Sequence, residues 1–237
     1  MTDIERLRDI VDRSHRIVFF GGAGVSTESG LKDFRSEDGL YREKYVYPPE
    51  YMLSRDCFYR HTEEFFRFYR DKILVGGVKP NAAHYKLAEW EQLGKLIAVV
   101  TQNIDGLHQA AGSRAVYELH GSVLKNRCTE CGHRYDVEFI KNSEGIPRCI
   151  KCGGVVKPEV VLYGENLDED TVTGAVRAIS AADTLIVAGT SLTVYPAAGL
   201  INYFTGENLV VINREPVPAS GALFICGKVG ETLGKIK

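Results

Sequence analysis

The chain has 237 residues, of which 44% are hydrophobic and 25% charged, and its formal net charge is −2. This composition is typical of a globular protein with a full core, and the near-neutral charge argues against a nucleic-acid surface as the default. No apolar run has the length of a membrane span, and the first residues lack the pattern of a signal peptide. Four of the six cysteines are paired at metal-binding spacing. That spacing suits a reducing compartment, so we expect a cytoplasmic protein.

A helix with a capping box opens the predicted fold, and the strand at 16–20 follows it into a glycine-rich turn, Gly21–Thr27. Glycine lets the backbone approach phosphates, and exposed N–H groups at a helix start favour anionic oxygen. Gly22-Ala23-Gly24 alone indicates a tight turn as readily as a dinucleotide site. The dehydrogenase pattern is not met, because Thr27 stands where a third glycine is expected.

Roughly 60 residues separate this turn from the next convincing strand, which is long for a βαβ connection. Asp33-Phe34-Arg35 lies early in this insert and is compatible with a loop that closes over a cofactor or with a surface salt bridge. Residues 62–74 predict a helix capped by Thr62, whose aromatic face is more typical of a core than of a cofactor site. Residues 80–93 predict another helix.

The central candidate is Thr101–His108, which follows a predicted buried strand at 96–100. Polar side chains at the carboxyl end of a parallel strand lie where open α/β sheets bind ligands, although a polar turn explains the same residues equally well. A further strand at 115–119 delivers His120 to a second turn of this kind. A lone histidine there is more often structural than catalytic.

Four cysteines give the strongest local signal. Cys128 and Cys131 form one C-x-x-C pair, Cys149 and Cys152 form another, and 17 residues separate the pairs. This spacing matches a tetrahedral zinc site, and four cysteine ligands leave no open position, so we expect structural zinc. Neighbouring basic residues leave a nucleic-acid zinc ribbon as a rival interpretation, which the acidic residues of the same segment disfavour.

Alternating strands and helices resume after the cysteines, with strands predicted at 160–163, 185–188 and 209–212 and a helix at 168–182. The strand at 185–188 ends in Gly189-Thr190-Ser191-Leu192, a hydroxylated turn suited to phosphate oxygens. The last strand ends in Asn213, which fits a ribose or adenine.

Taken together, these motifs closely resemble those of the sirtuin family of NAD-dependent protein deacylases, in its compact bacterial or archaeal form. The resemblance runs from Ile4 to about Leu233. It rests on Gly22-Ala23-Gly24-Val25-Ser26, Asp33-Phe34-Arg35, Thr101–His108, Leu119-His120-Gly121, the two cysteine pairs, Gly189–Leu192 and Ile212-Asn213.

This resemblance implies an α/β fold in which a Rossmann-like parallel sheet domain carries a smaller domain, built from the helical insert and a four-cysteine zinc-ribbon module. The Rossmann-like part is expected at about 1–30, 80–124 and 154–237, and the small domain at about 31–79 and 125–153. NAD and acyl-lysine are expected to meet between them. The implied ligands are NAD, consumed as a cosubstrate, and one structural Zn²⁺ bound by Cys128, Cys131, Cys149 and Cys152.

The resemblance also implies a role for each motif residue. His120 is expected to be the general base and Asn103 a second catalytic residue, while His108 is assigned to the structure. The implied NAD contacts are Ala23 and Thr27 at the phosphate turn, Phe34 and Arg35 over the cofactor, Gln102, Asn103, Ile104 and Asp105 around the nicotinamide and its ribose, His120, Thr190 and Ser191 at phosphate or ribose, and Asn213 at the adenosine ribose. Val160, Val161, Leu162 and Tyr163 are expected to pair with the substrate peptide as an added strand.

The implied reaction is removal of acetyl groups from protein lysines, with transfer to ADP-ribose and release of nicotinamide and O-acetyl-ADP-ribose. Expected partners are acetylated-lysine proteins or peptides and nicotinamide, as product and inhibitor, with no membrane and no direct nucleic acid. Lys32 departs from the family's usual proline and suggests a more flexible cofactor loop. Phe66 and Tyr69 stand where succinyl-removing members carry Tyr and Arg, which favours neutral acyl groups. Protein mono-ADP-ribosyl transfer and a non-catalytic NAD and zinc-ribbon protein are the alternatives.

Overall fold

The computed structural model describes residues 1–33 and 45–236. Its strands are β1 (Ile17–Gly21), β2 (Leu96–Thr101), β3 (Val116–Glu118), β4 (Gly121–Cys128), β5 (Arg134–Tyr135), β6 (Val156–Val160), β7 (Thr184–Ala188), β8 (Asn208–Asn213) and β9 (Leu223–Cys226). Its α-helices are α1 (Asp3–Arg13), α2 (Pro49–Met52), α3 (Arg55–Arg60), α4 (Thr62–Phe68), α5 (Ala82–Gln92), α6 (Leu107–Ala110), α7 (Val137–Asn142), α8 (Glu169–Ala181) and α9 (Val229–Leu233). Within the described ranges, no helix combines the length and the apolar character needed to cross a membrane.

A parallel sheet of six strands forms the larger layer, in the order β3-β2-β1-β7-β8-β9. When the six strands of this sheet are renumbered in chain order, their arrangement is that of a Rossmann fold, which confirms the predicted fold class. Strands β1 and β7 are buried along their whole length, as expected when helices cover both faces of a parallel sheet. Because β1 has β2 on one side and β7 on the other, the strand order reverses there, and a ligand crevice is expected at the carboxyl ends.

A smaller antiparallel sheet, in the order β5-β4-β6, lies with the helices of the insert. Phe65, Phe66 and Tyr69 of the insert pack in one buried cluster with Val156 of this sheet. The aromatic face of the predicted helix at 62–74 is therefore core, as predicted. The helix continues beyond α4 as a π-helical turn, Tyr69–Ile73.

Two local predictions were wrong. The strand predicted at 160–163 lies earlier in the chain, as β6. The prediction missed it because Pro158 and the charged residues beside it obscure the alternating pattern of this strand in the sequence. Its burial alternates along Val156–Val160, and Pro158 is tolerated because β6 is an edge strand. Thr62 does not cap α4, since its hydroxyl donates instead to the carbonyl of Phe58, at 2.7 Å.

Candidate active site and metal centre

The turns that follow β1 and β7 touch each other through glycine. Gly24 N–H donates to the carbonyl of Gly189 at 2.9 Å. A Cβ on Gly24 would lie 2.7 Å from Gly189 Cα, and one on Gly22 would lie 2.8 Å from Gly189 O. Side chains at these positions would force the turns apart, so the glycines keep the floor of the crevice closed.

The glycine turn is also held from its far side. The side chain of Asn81, at the start of α5, donates to Val25 O at 2.8 Å and to Ser29 Oγ at 3.0 Å. The carboxylate of Glu28 accepts from the N–H groups of Gly230, at 2.6 Å, and Glu231, at 3.1 Å. Glu28 thus caps α9, which has no capping side chain at its own N-cap position.

The residues predicted at this turn occupy two short 3₁₀ helices, Ala23–Val25 and Thr27–Ser29. Thr27 turns its hydroxyl toward its own loop, where it donates to Gly24 O at 3.0 Å. The structure therefore places Ala23 and Thr27 at the carboxyl edge of β1, as the sequence predicted, while their contacts with NAD remain predictions.

A hydrogen-bonded chain of three side chains joins this turn to the end of β2. Asn103 Nδ2 donates to Ser26 Oγ at 3.0 Å, and the Ser26 hydroxyl donates to Asp105 Oδ2 at 2.7 Å. Ser26 and Asn103 are buried. The second oxygen of Asp105 accepts from Leu107 N–H at 2.9 Å.

Ser26 was missed as a site residue, although it belongs to the quoted glycine turn. The available signal was its position, since a hydroxyl at the end of β1 lies next to the end of β2 in a parallel sheet.

Burial dominates the electrostatics of Asp105. It raises the pKa of this carboxyl, and the hydrogen bonds from Leu107, Ser26 and Asn103 work in the opposite direction. Desolvation therefore makes the charged form of this side chain costly in free energy. Groups with pKa values shifted in this way are frequent at functional sites.

Gln102 connects the end of β2 with the turn after β7 and with His120. Its Nε2 donates to Thr190 Oγ1 at 3.0 Å, and its backbone carbonyl lies 2.9 Å from His120 Nδ1. A carbonyl can only accept, so Nδ1 carries the proton and Nε2 is left with the lone pair. Burial lowers the pKa of His120, and the bond to Gln102 partly opposes this shift. His120 is thus neutral near pH 7 and able to accept a proton at Nε2.

The histidine assigned to the structure, His108, lies apart from this network. It is buried beside His84, with 4.7 Å between the ring centroids. Burial lowers the pKa of His84 to about 4 and that of His108 to about 3. Both rings are therefore neutral core residues at pH 7.

The other predicted contacts are spread along the crevice. Ser191 Oγ lies 2.8 Å from Thr193 Oγ1, and Asn213 Nδ2 donates to Glu215 O at 2.9 Å. The carbonyl of Ile104 accepts from Val123 N–H at 3.0 Å. Phe34 and Arg35 lie outside the described residues.

The predicted peptide-pairing segment, Val160 to Tyr163, already uses much of its backbone internally. Val161 N–H donates to His120 O, and Tyr163 N–H donates to Leu53 O, both at 2.9 Å. Leu162 N–H donates to Glu165 Oε2, also at 2.9 Å. Pairing of this segment with a substrate stays a prediction.

The four predicted metal ligands converge. The Sγ atoms of Cys128, Cys131, Cys149 and Cys152 all lie within 4.8 Å of one another. Cys128 and Cys152 approach to 3.4 Å, and Cys131 and Cys149 to 3.5 Å. Tetrahedral zinc with bonds of about 2.3 Å separates its sulfurs by about 3.8 Å, so the cluster fits a zinc ion.

Comparison with known proteins gives a consistent picture. The Sir2 family model matches residues 22–196. An NAD-dependent protein deacetylase of Clostridium perfringens is 56% identical over 238 residues, covering 98% of each chain.

Two solved structures add to this comparison. A Sir2 structure with deacetylated p53 peptide and 3′-O-acetyl ADP ribose is 38% identical, with a TM-score of 0.89 over 99% of this chain and 97% of that one. A Sir2 structure with p53 peptide and NAD⁺ is 40% identical, with a TM-score of 0.85 over 98% of this chain and 96% of that one.

Proposed function

The chain belongs to the Sir2 family, and we infer from this membership and from its crevice that it is an NAD-dependent protein deacetylase. The observation that carries the catalytic part of the inference is the His120–Gln102 contact of 2.9 Å, which fixes the tautomer of the neutral imidazole so that Nε2 is the acceptor. This base lies at the same sheet edge as the hydrogen-bonded chain of Asn103, Ser26 and Asp105.

We propose that His120 takes a proton from a ribose hydroxyl of NAD at its Nε2 atom. NAD supplies a ribose carbon that accepts the acyl oxygen as nicotinamide departs. A neutral imidazole suits this role, because its ordinary pKa lies near the working pH and burial lowers it further.

The amide and carboxylate at the end of β2 are assigned to the nicotinamide end of the crevice. Asn103 donates its Nδ2 to Ser26, which directs its Oδ1 elsewhere. Asp105 accepts from Ser26 and from Leu107 N–H, so both of its oxygens are oriented. Preorganised polar groups in a buried site stabilise developing charge better than water does. We also propose nicotinamide as an inhibitor, because nicotinamide that binds this pocket can reverse its own release.

The preferred acyl group is proposed to be neutral, with acetyl first. Phe66 and Tyr69 are fully buried in the insert core. The neighbouring cation, Arg70, donates to the carbonyls of Ile140, at 2.9 Å, and Gly145, at 2.6 Å. Its guanidinium is therefore committed to the zinc module rather than offered to an acidic acyl group. Comparing turnover of acetyl-lysine and succinyl-lysine peptides tests this assignment.

The remaining expectations are retained as proposals. The division into a Rossmann-like part and a small domain is supported by the two separate sheets. A cytoplasmic location is supported by cysteines placed for metal binding in a reducing compartment, and acetylated-lysine proteins are proposed as substrates. The low net charge disfavours direct nucleic-acid binding.

The test of this function is incubation with NAD and an acetyl-lysine peptide, followed by mass spectrometry. The wild type should produce deacetylated peptide, nicotinamide and O-acetyl-ADP-ribose in equal amounts, and His120→Ala should produce none above background. His15→Ala, which changes an exposed histidine, is the matched control and should retain full activity. Wild-type protein that forms no O-acetyl-ADP-ribose would contradict the deacetylase assignment.

The same samples distinguish the alternatives. Transfer of labelled ADP-ribose to protein without loss of acetyl would indicate a mono-ADP-ribosyltransferase. Binding of NAD without release of nicotinamide would indicate a non-catalytic protein.

A further inference from the structure

One hydroxyl outside the four-cysteine cluster makes a direct contact with it. Tyr135 Oη lies 3.0 Å from Cys149 Sγ and accepts from Ile150 N–H at 2.9 Å. The backbone N–H can only donate, so it occupies a lone pair of the hydroxyl oxygen. The hydroxyl proton is then the group available to the sulfur, which accepts as a thiolate in a zinc site.

The ring that carries this hydroxyl is fixed in place. Tyr135 belongs to β5, where it pairs with Asn126 of β4. Its ring lies 4.1 Å from the Phe139 ring and meets His133 edge-to-face at 4.9 Å, measured between centroids. A contact held from three sides costs little entropy when it forms, so the hydroxyl is preorganised toward the Cys149 sulfur.

The contact makes the four sulfurs unequal. Cys128 and Cys149 each accept a backbone N–H at 3.4 Å, from Glu130 and Lys151 respectively. Among the residues that the structure describes, Tyr135 is the side-chain hydroxyl that donates to one of the four sulfurs, and it adds a side-chain donor to the backbone N–H groups that Cys149 already accepts. Cys128 and Cys149 are buried, and the other two cysteines are exposed. Cys149 is therefore both shielded from water and oriented by a side chain.

We propose that Tyr135 is part of the zinc site, where its hydroxyl orients the Cys149 thiolate on the metal and slows the loss of zinc. Groups that hydrogen-bond a metal ligand fix its direction, and their removal costs about 10-fold to 100-fold in metal affinity. Since four sulfurs fill the coordination sphere, zinc leaves the site only after one of these ligands dissociates from it. A sulfur held by both Lys151 N–H and Tyr135 is the last of the four expected to do so.

The test compares zinc release from Tyr135→Phe and from the wild type into an excess of a chromogenic chelator, with no NAD or peptide present. Phenylalanine keeps the ring contacts and removes only the donor. Release from the variant should be about 10-fold to 100-fold faster. Tyr85→Phe, which removes the hydroxyl of an exposed tyrosine on α5, should release zinc at the wild-type rate.

Release from Tyr135→Phe within about twofold of the wild-type rate would overturn the proposal. If the variant loses zinc and unfolds during purification, refolding on addition of zinc supports it, and failure to refold in excess zinc overturns it. The readout does not depend on the deacetylase assignment, so failure of either is recognised separately.

Discussion

Replacement of Asp105 by asparagine tests the hydrogen-bonded chain at the end of β2. Asp105 accepts from Leu107 N–H at 2.9 Å and from the Ser26 hydroxyl at 2.7 Å. A carboxylate accepts both, whereas a carboxamide has a single acceptor oxygen. Because the backbone N–H cannot turn around, the oxygen of the new amide has to face Leu107 and its NH₂ has to face Ser26.

The reversal then passes along the chain. Ser26 then accepts from the new NH₂ as well as from Asn103 Nδ2, since a hydroxyl oxygen has two lone pairs, and its own proton loses the carboxylate that accepts it. The substitution at Asp105 therefore removes the charge from the chain and leaves Ser26, which holds Asn103 at the nicotinamide end that we assign to it, without its carboxylate acceptor.

The expected loss can be bounded from these contacts. Replacing the two hydrogen bonds to the Asp105 carboxylate by one bond to a neutral oxygen and one reversed bond to Ser26 removes about 2–3 kcal/mol of interaction. If this is lost in the transition state, kcat/KM for NAD falls roughly 30-fold to 160-fold. Stability should not fall, because burial raises the pKa of Asp105 and thus makes its charged form costly in the folded state at neutral pH.

The assay is steady-state release of nicotinamide at saturating acetyl-lysine peptide, with thermal unfolding measured on the same samples. Asp136→Asn makes the same chemical change at the N-cap of α7 and should leave both quantities at wild-type values. Wild-type kcat/KM in the Asp105→Asn variant would refute this role of the Asp105 carboxylate. A loss of activity accompanied by a Tm drop of the kind expected from a disrupted core would refute the assignment to the site.

Three further predictions concern pH and the glycine turn. The acid limb of kcat/KM should inflect below pH 6.5, because burial lowers the pKa of His120; a pH–rate profile with an inflection at or above the ordinary value would contradict this. The free energy of unfolding should fall as the pH drops below about 6.5, by about 2 kcal/mol per histidine at pH 5. In the folded state the pKa of His84 is about 4 and that of His108 is about 3, so the unfolded chain takes up these protons at a higher pH than the folded chain does. His108→Leu, which keeps the side-chain volume and removes ring nitrogens without a partner, should flatten this slope in denaturant titrations, and an unchanged slope would count against the assignment. Glu28→Ala should raise KM for NAD about fivefold, because it releases the glycine turn from α9 and the lost hydrogen bonds are worth about 1 kcal/mol. Asp168→Ala, which uncaps α8, should destabilise the fold similarly but leave KM unchanged, since Asp168 does not contact that turn.

Much of the site could be predicted because it depends on short sequence spacing. The two cysteine pairs, the polar end of β2 and the position of His120 after a strand are all visible within a few residues. The structure brings the four sulfurs within 4.8 Å of one another, and it places Gln102 against both Thr190 and His120.

What could not be predicted depends on contacts between distant parts of the chain. Ser26 reaches Asp105 across 79 positions, and Glu28 reaches Gly230 across 202. Neither pairing leaves a local pattern in the sequence, because each forms only in the folded chain. The first needs the ends of β1 and β2 to lie side by side, and the second needs α9 to pack against the turn after β1. The misplaced strand at 160–163 has another cause, since Pro158 and charged neighbours obscured the alternation that identifies β6.

The group that orients His120 explains why the sequence alone favoured a structural role for this histidine over a catalytic one. Catalytic histidines are often oriented by a carboxylate, which sequence reasoning can search for. Here the orienting group is the backbone carbonyl of Gln102, at 2.9 Å, and a backbone carbonyl exists at every position. The tautomer of the base is therefore set by where β2 ends relative to β3, not by a side chain. Substituting Gln102 removes its contact with Thr190 but leaves that carbonyl in place, so the base and the turn after β7 are held by separable parts of one residue.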